Sequence, residues 1–243
     1  MTVPAIEAAA AAAWPATEST RLGSWTLLAG DGFSRRRNSA VPAGPVPDDL
    51  ERRLADVAEW YRVRALPTIF RITPLCDPMI DDELARAGYT VDAPTLVMHR
   101  RTERGDAIPG VLESPVATDD WIAAELDALG IDPSQVGPWL ATLAKVPGPA
   151  AFVSPTVAGR PVGAGLGVVV GDHLGVFEVV VDPSHRRQGH ATRIMDSLHA
   201  FGAREGASTA FLQVLEDDER AIALYRSLGY EVSHHYWYRR SEP

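Results

Sequence analysis

The feature that most constrains the fold is an internal repeat, because the chain matches itself without gaps at a shift of 141 positions. The identical matches include Pro42 with Pro183, Thr68 with Thr209, Phe70 with Phe211, Asp77 with Asp218, Gly88 with Gly229, Tyr89 with Tyr230 and Val91 with Val232. Self-similarity at a fixed shift indicates repeated structural units. Since the matches fall at strand, helix and turn positions together, we expect two similarly folded halves.

The two halves should meet where helix and strand patterns lapse and polar residues accumulate. That stretch is 100–110 (RRTERGDAIPG), which has the composition of a linker; a surface loop inside one domain is the alternative. A chain of 243 residues can hold two small domains or one long one. Because of the repeat, we predict an N-terminal domain over 1–106 and a C-terminal domain over 107–243.

The second half has the clearest secondary-structure pattern. Apolar runs at 162–170 and 174–181, separated by a Gly-Asp turn signal, predict a β-hairpin. Helical spacing of apolar residues predicts a helix from Gly189 to near Gly206. The other predicted elements are strands over 111–116, 150–157, 208–215 and 230–239 and helices over 118–129, 133–145 and 218–228. The order from the hairpin onward is β-β-α-β-α-β.

Charge excludes one class of partner. The formal net charge of −9 leaves no overall cationic field for phosphate backbones, so we expect no nucleic-acid binding. The short basic cluster 35–37 (RRR) is interpreted as a solvated or partner-pairing strand segment.

Cysteine and apolar content bear on the compartment. The single Cys76 excludes an intramolecular disulfide and fits a reducing compartment. The alanine run 8–13 follows Glu7 without a Lys or Arg, so it lacks the positive region of a signal peptide and is interpreted as a frayed or surface helix. No apolar stretch approaches the roughly 20 residues that cross a bilayer. We expect a cytoplasmic protein without a membrane partner.

The segment 185–191 (HRRQGHA) lies between a predicted strand and a predicted helix. The first turn of a helix has N–H groups without intrahelical partners and a partial positive charge, so it can hold a phosphate. Gly189 and Ala191 are small enough for a pyrophosphate to approach the main chain. Arg186 and Arg187 add mobile positive charge. The segment therefore predicts a phosphate-binding loop.

This loop resembles the pyrophosphate motif of the GNAT superfamily of N-acetyltransferases, Arg/Gln-x-x-Gly-x-Gly/Ala, at Arg186, Gly189 and Ala191. The stretch 212–230 resembles the distal signature of the same family: a strand, a helix that carries Leu-Tyr and a closing Gly-Tyr. Both motifs come in the expected order and at the expected distance. The resemblance covers 163–239 and identifies the second half as a member of the family.

The resemblance implies an α/β (α+β) fold of two tandem GNAT-like domains, each a mixed, mostly antiparallel twisted sheet flanked by helices. It implies acetyl-CoA as cosubstrate, with pantetheine along the strand before the loop and pyrophosphate on the loop. The implied contacts are Val179, Val180, Val181, Arg186, Arg187, Gln188, Gly189, His190, Ala191, Thr192, Asp218 and Tyr225. Asp218 stands where the family often has asparagine, and Gln213 replaces a glutamate that some ribosomal-protein acetyltransferases use.

Two residues are implied to carry the chemistry. Tyr225 falls on the tyrosine that protonates the departing thiolate, and a phenol with a pKa near ~10 holds the proton that this step needs. An ammonium must lose a proton before it attacks, and Glu178, a carboxylate in an apolar strand, is the candidate base. The alternatives are a core tyrosine for Tyr225, and for Glu178 a structural carboxylate or replacement by a water chain.

The first half lacks these features. At the same shift the loop corresponds to 44–50 (GPVPDDL), which has no basic residue and two carboxylates, and Tyr225 corresponds to Leu84. We therefore expect a degenerate copy that keeps the fold without the cofactor site and shapes the acceptor cleft. We expect no metal site, since the adjacent His234 and His235 would point to opposite faces of a strand.

Three functions remain open. The first is acetyl transfer from acetyl-CoA to the primary amine of a small molecule, which an acidic chain suits. The second is a protein N-terminal or lysine acetyltransferase, with a peptide amine as acceptor. The third is a non-catalytic acyl-CoA-binding regulatory module. The sequence does not define the acceptor, and an oligomer is possible.

Overall fold

The computed structural model describes residues 1–30, 34–103, 105, 108–130 and 132–241. The helices are α1 (Val3–Ala13), α2 (Leu50–Arg62), α3 (Pro78–Arg86), α4 (Asp119–Leu129), α5 (Pro133–Leu143), α6 (His190–Arg204) and α7 (Glu219–Ser227). Short 3-10 helices lie at Arg35–Arg37 and Pro183–His185. The fold is mixed α/β, as predicted.

The strands complete this inventory of elements. They are β1 (Glu18–Leu22), β2 (Trp25–Ala29), β3 (Ala40–Val41), β4 (Ile69–Ile72), β5 (Thr90–Arg101), β6 (Val111–Ser114), β7 (Ala150–Val157), β8 (Arg160–Pro161), β9 (Gly163–Val170), β10 (His173–Val181), β11 (Thr209–Leu215) and β12 (Glu231–Arg240). Most neighbouring strands pair in the antiparallel direction; β10 with β11 and β3 with β4 are parallel. The mixed, mostly antiparallel pairing agrees with the predicted fold class.

The secondary structure follows the internal repeat. At the shift of 141 positions, α2 falls on α6, β4 on β11, α3 on α7 and β5 on β12, with ends that agree to within a few residues. Both copies therefore contain the same succession of helix, strand, helix and strand. The structural agreement supports the two-copy interpretation of the sequence.

The chain forms two compact units, and each unit contains stretches that are far apart in the sequence. The larger unit consists of Met1–Trp14, Met98–Gln213 and Arg220–Glu231. The smaller unit consists of Pro15–Val97, Val214–Glu219 and Val232–Pro243. The predicted domain boundary lies at Asp106 and Ala107, outside the described residues, and the domains 1–106 and 107–243 stay a prediction. The expected linker begins too early, because β5 continues to Arg101.

In the larger unit, neighbouring strands run in the order β11-β10-β9-β7-β6, and β8 pairs with β7. Helix α6 packs on β9 and β10, with Ile194 and Leu198 fully buried. Gly165 on β9 allows this close approach, because a side chain there would collide with Ile194. The glycine interruptions of this strand therefore bring α6 close to the sheet.

Helix α1 also belongs to the larger unit; it is a regular helix with one buried and one exposed face, so of the two expected alternatives a surface helix fits and a frayed one does not. It packs against β9 and β10 with Ile6, Ala9, Ala10 and Ala13 buried. The Trp14 ring at its end stacks on Phe177 with 5.2 Å between centroids. Small alanine side chains let the helix lie close to the sheet, and this burial stabilises it.

In the smaller unit, neighbouring strands run in the order β1-β2-β3-β4-β12-β5. β12 pairs with β4 in the antiparallel direction, with Tyr238 opposite Arg71. The core of this unit is apolar and includes Trp25, Phe70 and Leu84.

One expectation about the smaller unit changes with the structure. The cluster Arg35–Arg37 is a 3-10 helix and not a strand, and Arg37 is fully buried. The guanidinium of Arg37 donates to the carbonyl of Pro15 (2.8 Å) and to Oγ1 of Thr17 (3.2 Å). Cys76 is buried, and burial raises the pKa of its thiol to about 12, so the thiol stays protonated at neutral pH.

None of the helices in the described part of the chain is long and apolar enough to cross a membrane.

Candidate functional site

The strand before the predicted phosphate loop carries a β-bulge. Along β10, the antiparallel register with β9 shifts between Phe177 and Val180, and Glu178 within the bulge has a left-handed backbone (φ 50°). A bulge re-aims a side chain and interrupts regular pairing. The bulge therefore gives Glu178 an orientation that the strand alternation alone would not predict.

Along one edge of β10, the pairing with β11 covers only the first part of the strand. The parallel pairing with β11 ends at Val176, although β10 continues to Val181. On the other edge, Val180 and Val181 stay in register with β9. Val179, Val180 and Val181 are half-buried. This part of β10 can therefore offer backbone groups to an extended ligand on the β11 side.

The loop after β10 is held by its own side chains. Asp182 accepts from the backbone N–H of Ser184 (2.7 Å), which fixes the short 3-10 helix. Nε of Arg186 donates to the carbonyl of Val181 (3.2 Å). Arg187 has a left-handed backbone (φ 65°) and, like Arg186 and Gln188, has an exposed side chain. The loop thus has a defined conformation with its basic residues at the surface.

Helix α6 begins directly after this loop with a free N-terminus. Its N-cap Gly189 is left-handed (φ 81°). Within the described part of the chain, no side chain caps the helix, and apart from the adjoining residues no atom lies within 4 Å of the position that a Cβ would occupy there. Ala191 and Thr192 in the first turn are half-buried. Backbone N–H groups of a first turn have no intrahelical acceptor and favour an anion. The space and the donors fit a pyrophosphate group.

His190, one of the implied cofactor contacts, has a buried side chain. It is 6% exposed, and its ring lies 6.3 Å from that of His185. Burial, followed by the charges of Arg193 and His185, lowers the pKa of His190. A neutral imidazole at this place contributes packing, and the backbone N–H remains the group that can contact a ligand.

Tyr225 and Asp218 fall in different units. Tyr225 belongs to the larger unit with β10 and α6; its side chain is 9% exposed and its ring centroid is 6.0 Å from that of Tyr230. The adjacent Tyr230 is anchored by a 2.8 Å hydrogen bond to Nε2 of His199. Asp218 is exposed, belongs to the smaller unit and directly precedes α7. Of these two predicted site residues, only Tyr225 belongs to the same compact unit as the loop.

Glu178 has neighbours that the sequence did not point to. Nε1 of Trp139 on α5 donates to its carboxylate (3.4 Å). The carboxyl group of Glu125 on α4 also faces Glu178; burial, followed by the charge and hydrogen bonding of Glu178, raises the pKa of Glu125 to about 10. The sequence held one signal for Glu125: it lies four residues after Trp121, on the same helix face, among buried residues.

The equivalent loop of the first copy is built differently. The N–H of Gly44 already donates to the carbonyl of Leu75 (2.8 Å). Pro45 and Pro47 have no N–H group, and Asp48 and Asp49 place carboxylates at the start of α2. An anion would meet negative charge and fewer donors here, as the sequence predicted.

The two adjacent histidines of β12 point to opposite faces, as predicted. His234 is buried, whereas His235 is exposed and lies 3.2 Å from Glu216. Among the described residues, no group of three or more His, Cys, Asp or Glu side chains could hold a metal ion.

Comparisons with known proteins cover nearly the whole chain. Residues 2–239 match the family described as "Probable histone acetyltransferase Rv0428c C-terminal". The chain is 26% identical over 245 residues to the uncharacterized N-acetyltransferase YobR of Bacillus subtilis (strain 168), covering 97% of this chain and 98% of that protein.

Two solved structures share the fold. The GCN5-related N-acetyltransferase from Kribbella flavida superimposes with a TM-score of 0.76 and 20% identity, covering 100% of this chain and 97% of that one. A tandem GNAT protein from the clavulanic acid biosynthesis pathway gives a TM-score of 0.63 and 13% identity, covering 95% and 86% of the two chains. At these identities the likeness concerns the fold alone.

Proposed function

Because the chain belongs to the family described as probable histone acetyltransferase Rv0428c C-terminal, and so to the GNAT N-acetyltransferases, we propose that it transfers the acetyl group of acetyl-CoA to a primary amine of a small molecule. One observation carries the proposal: the uncapped start of α6 at Gly189 follows a strand whose pairing with β11 stops early. The two features together fit a ligand with a pyrophosphate and an extended arm.

Acetyl-CoA would bind along these two features. The pyrophosphate accepts hydrogen bonds from backbone N–H groups at the start of α6, around His190, Ala191 and Thr192. The exposed Arg186 and Arg187 add charge from the loop. The pantetheine arm lies along 179–181 and pairs with the backbone of β10.

The transfer then needs one base and one acid. Glu178 takes a proton from the acceptor ammonium, and the nitrogen lone pair attacks the thioester carbonyl carbon. The C–S bond breaks as the tetrahedral intermediate collapses, and the hydroxyl of Tyr225 gives its proton to the sulfur. The nitrogen loses its second proton as the amide forms, and this proton restores Tyr225. The proton on Glu178 leaves to solvent, so the products are an amide, coenzyme A and one proton.

The size of the acceptor distinguishes two functions. An acidic protein attracts small cationic amines, which favours a small-molecule acceptor. The description of the family as a probable histone acetyltransferase favours a protein lysine instead. Both use the same chemistry at Glu178 and Tyr225, so they differ only in what reaches the thioester.

A direct assay separates these functions. Free-thiol release from acetyl-CoA is followed with a panel of polyamines, amino acids, aminoglycosides and lysine-containing peptides. We expect turnover with one class of small amine and only background hydrolysis with peptides. Turnover with peptides alone would favour the protein acetyltransferase. Binding of acetyl-CoA without thiol release from any acceptor in the panel would contradict the proposal and favour a regulatory role.

A further inference from the structure

A second carboxyl group lies behind the proposed base. Glu125 is 0% exposed, and among the residues that the structure describes no donor reaches either of its side-chain oxygens. The carboxyl group of Glu178, which is only half-buried, faces it. A buried carboxylate without a donor is costly, so a proton is the simplest group that can satisfy this pair.

Trp121, one turn before Glu125 on the same face of α4, packs among aromatic rings. The indole rings of Trp121 and Trp139 stack with 6.1 Å between centroids, and the ring of Phe152 meets Trp121 edge to face at 5.1 Å. Nε1 of Trp121 donates a hydrogen bond to the carbonyl of Gly165 (3.1 Å). Neither indole therefore compensates a charge on Glu125.

Among the described residues, no cation approaches Glu125 from the elements that pack most closely on α4. These are β7, β8, β9 and β10, together with α5, whose Trp139 stacks on Trp121. Their described titratable side chains are Arg160, His173 and Glu178. Arg160 is exposed, and His173 is paired with Asp172 and Thr209. Only Glu178 faces Glu125 among these three side chains.

We propose that Glu125 is a positioning residue for Glu178: it stays protonated at neutral pH and donates that proton in a hydrogen bond to the Glu178 carboxylate. Together with the N–H of Trp139, this bond fixes the orientation of the carboxylate. The pair carries one negative charge and becomes neutral when it takes one proton from the acceptor ammonium. The inference rests on the proposed role of Glu178 as base.

The protonation of Glu125 can be measured without activity. An infrared difference spectrum of wild type minus Glu125→Gln at pH 7 should show the C=O stretch of a protonated carboxyl group. Raised pH should remove this band only well above neutrality. A spectrum with only carboxylate bands at pH 7 would overturn the inference. This result is distinguishable from failure of the proposed function, because it does not depend on finding an acceptor.

The positioning role is tested by the pH profile of kcat/KM for the acceptor amine. Glu125→Gln keeps a neutral donor. Its kcat/KM should therefore fall by no more than about threefold, and the acidic limb of the pH profile should stay at the same pH. Glu125→Leu removes the donor; kcat should fall about 10- to 100-fold and the acidic limb should move to higher pH, because Glu178 is more easily protonated. The KM for acetyl-CoA should stay unchanged. Asp127→Asn, an exposed carboxylate of the same helix, is the control.

Two results would refute the positioning role. If the acidic limb stays in place in both variants, Glu125 only fills space. If Glu125→Gln moves the acidic limb of the profile to lower pH, the substitution has removed a negative charge. Both carboxyl groups would then be ionised in the wild type, and Glu125 would not be a donor. Thermal melting identifies a misfolded Leu variant, and the Gln variant and the infrared spectrum then decide the question.

Discussion

The starts of α2 and α6 occupy the same place in the two copies but differ in chemistry. At the start of α6, a left-handed glycine leaves open space and no side chain caps the helix. At the corresponding point of α2, two prolines and two aspartates remove donors and add negative charge. Since helix and strand positions agree, the proposed anion site of the second copy would depend on the free N–H groups and on the lack of nearby carboxylates at this loop, and not on the fold alone.

The positions proposed to be catalytic also differ between the two copies. At the shift of 141, Glu178 corresponds to Arg37 and Tyr225 to Leu84. Arg37 is buried and held by Pro15 and Thr17, and Leu84 is fully buried in the core of the smaller unit. In the first copy both positions are fully buried and serve packing and local hydrogen bonding, whereas the second copy has a carboxylate and a phenol there.

The largest expected effect is at the start of α6. Gly189→Glu should abolish acetyl-CoA binding, because it gives the second copy the carboxylate that Asp48 gives the first. Binding is measured as the rise in melting temperature with acetyl-CoA, which a ligand of the folded state produces. The matched control is Gly206→Glu, at the other end of the same helix, with a similar left-handed backbone (φ 86°) and open space. An equal loss in both variants would attribute the effect to backbone strain.

A smaller effect is expected for the acid. Tyr225→Phe, which makes the position apolar as Leu84 is in the first copy, should lower kcat by about 100-fold without changing the KM for acetyl-CoA. Tyr230→Phe removes the hydroxyl that bonds His199, so it should lower stability and leave kcat nearly unchanged. Full activity of Tyr225→Phe would reject its role as acid.

The smallest effect concerns a structural carboxylate of the smaller unit. Asp81 accepts from Nε of Arg239 (2.7 Å) and Nε1 of Trp237 (3.0 Å). Partial burial opposes its ionisation, but these bonds outweigh burial and hold the pKa of Asp81 below its usual value. Asp81→Asn should cost about 2 kcal/mol at pH 7. Because the pKa of Asp81 is lower in the folded state, the stability difference between wild type and Asp81→Asn should have its full size above about pH 4. It should shrink at lower pH, as Asp81 is protonated.

Urea denaturation from pH 7 down to about pH 3 measures this difference. Glu83→Gln on the same helix is the control, because its pair with Arg86 is exposed and should change stability by less than about 0.5 kcal/mol. A pH-independent loss for Asp81→Asn would show that packing and not charge holds this contact.

Local patterns predicted most of the secondary structure of the second copy. The helical spacing after Gly189 gave α6, and Thr118 is the N-cap of α4, where it accepts from the N–H of Trp121. The position of Gly189 between strand and helix was also predicted. These features depend on neighbours in sequence, which a local pattern encodes.

Contacts between distant residues could not be predicted in this way. The repeat gives β5 and β12 equivalent positions, so local pattern cannot decide that β12 is the strand that pairs with β4. The partners of Glu178 were missed for the same reason, because Glu125 and Trp139 reach it only when α4 and α5 pack. The roles of Gly189, Glu178 and Tyr225 remain predictions.

Each compact unit is assembled from three separated stretches of the chain. A single truncation therefore cannot give either unit in complete form. Truncation after the first copy would remove β12, which pairs with β4. The second copy expressed by itself would lack α1. For this reason the proposed catalytic half should not be expressed as an independent domain. A fusion protein that uses it must contain both copies, or must have α1 joined to the second copy.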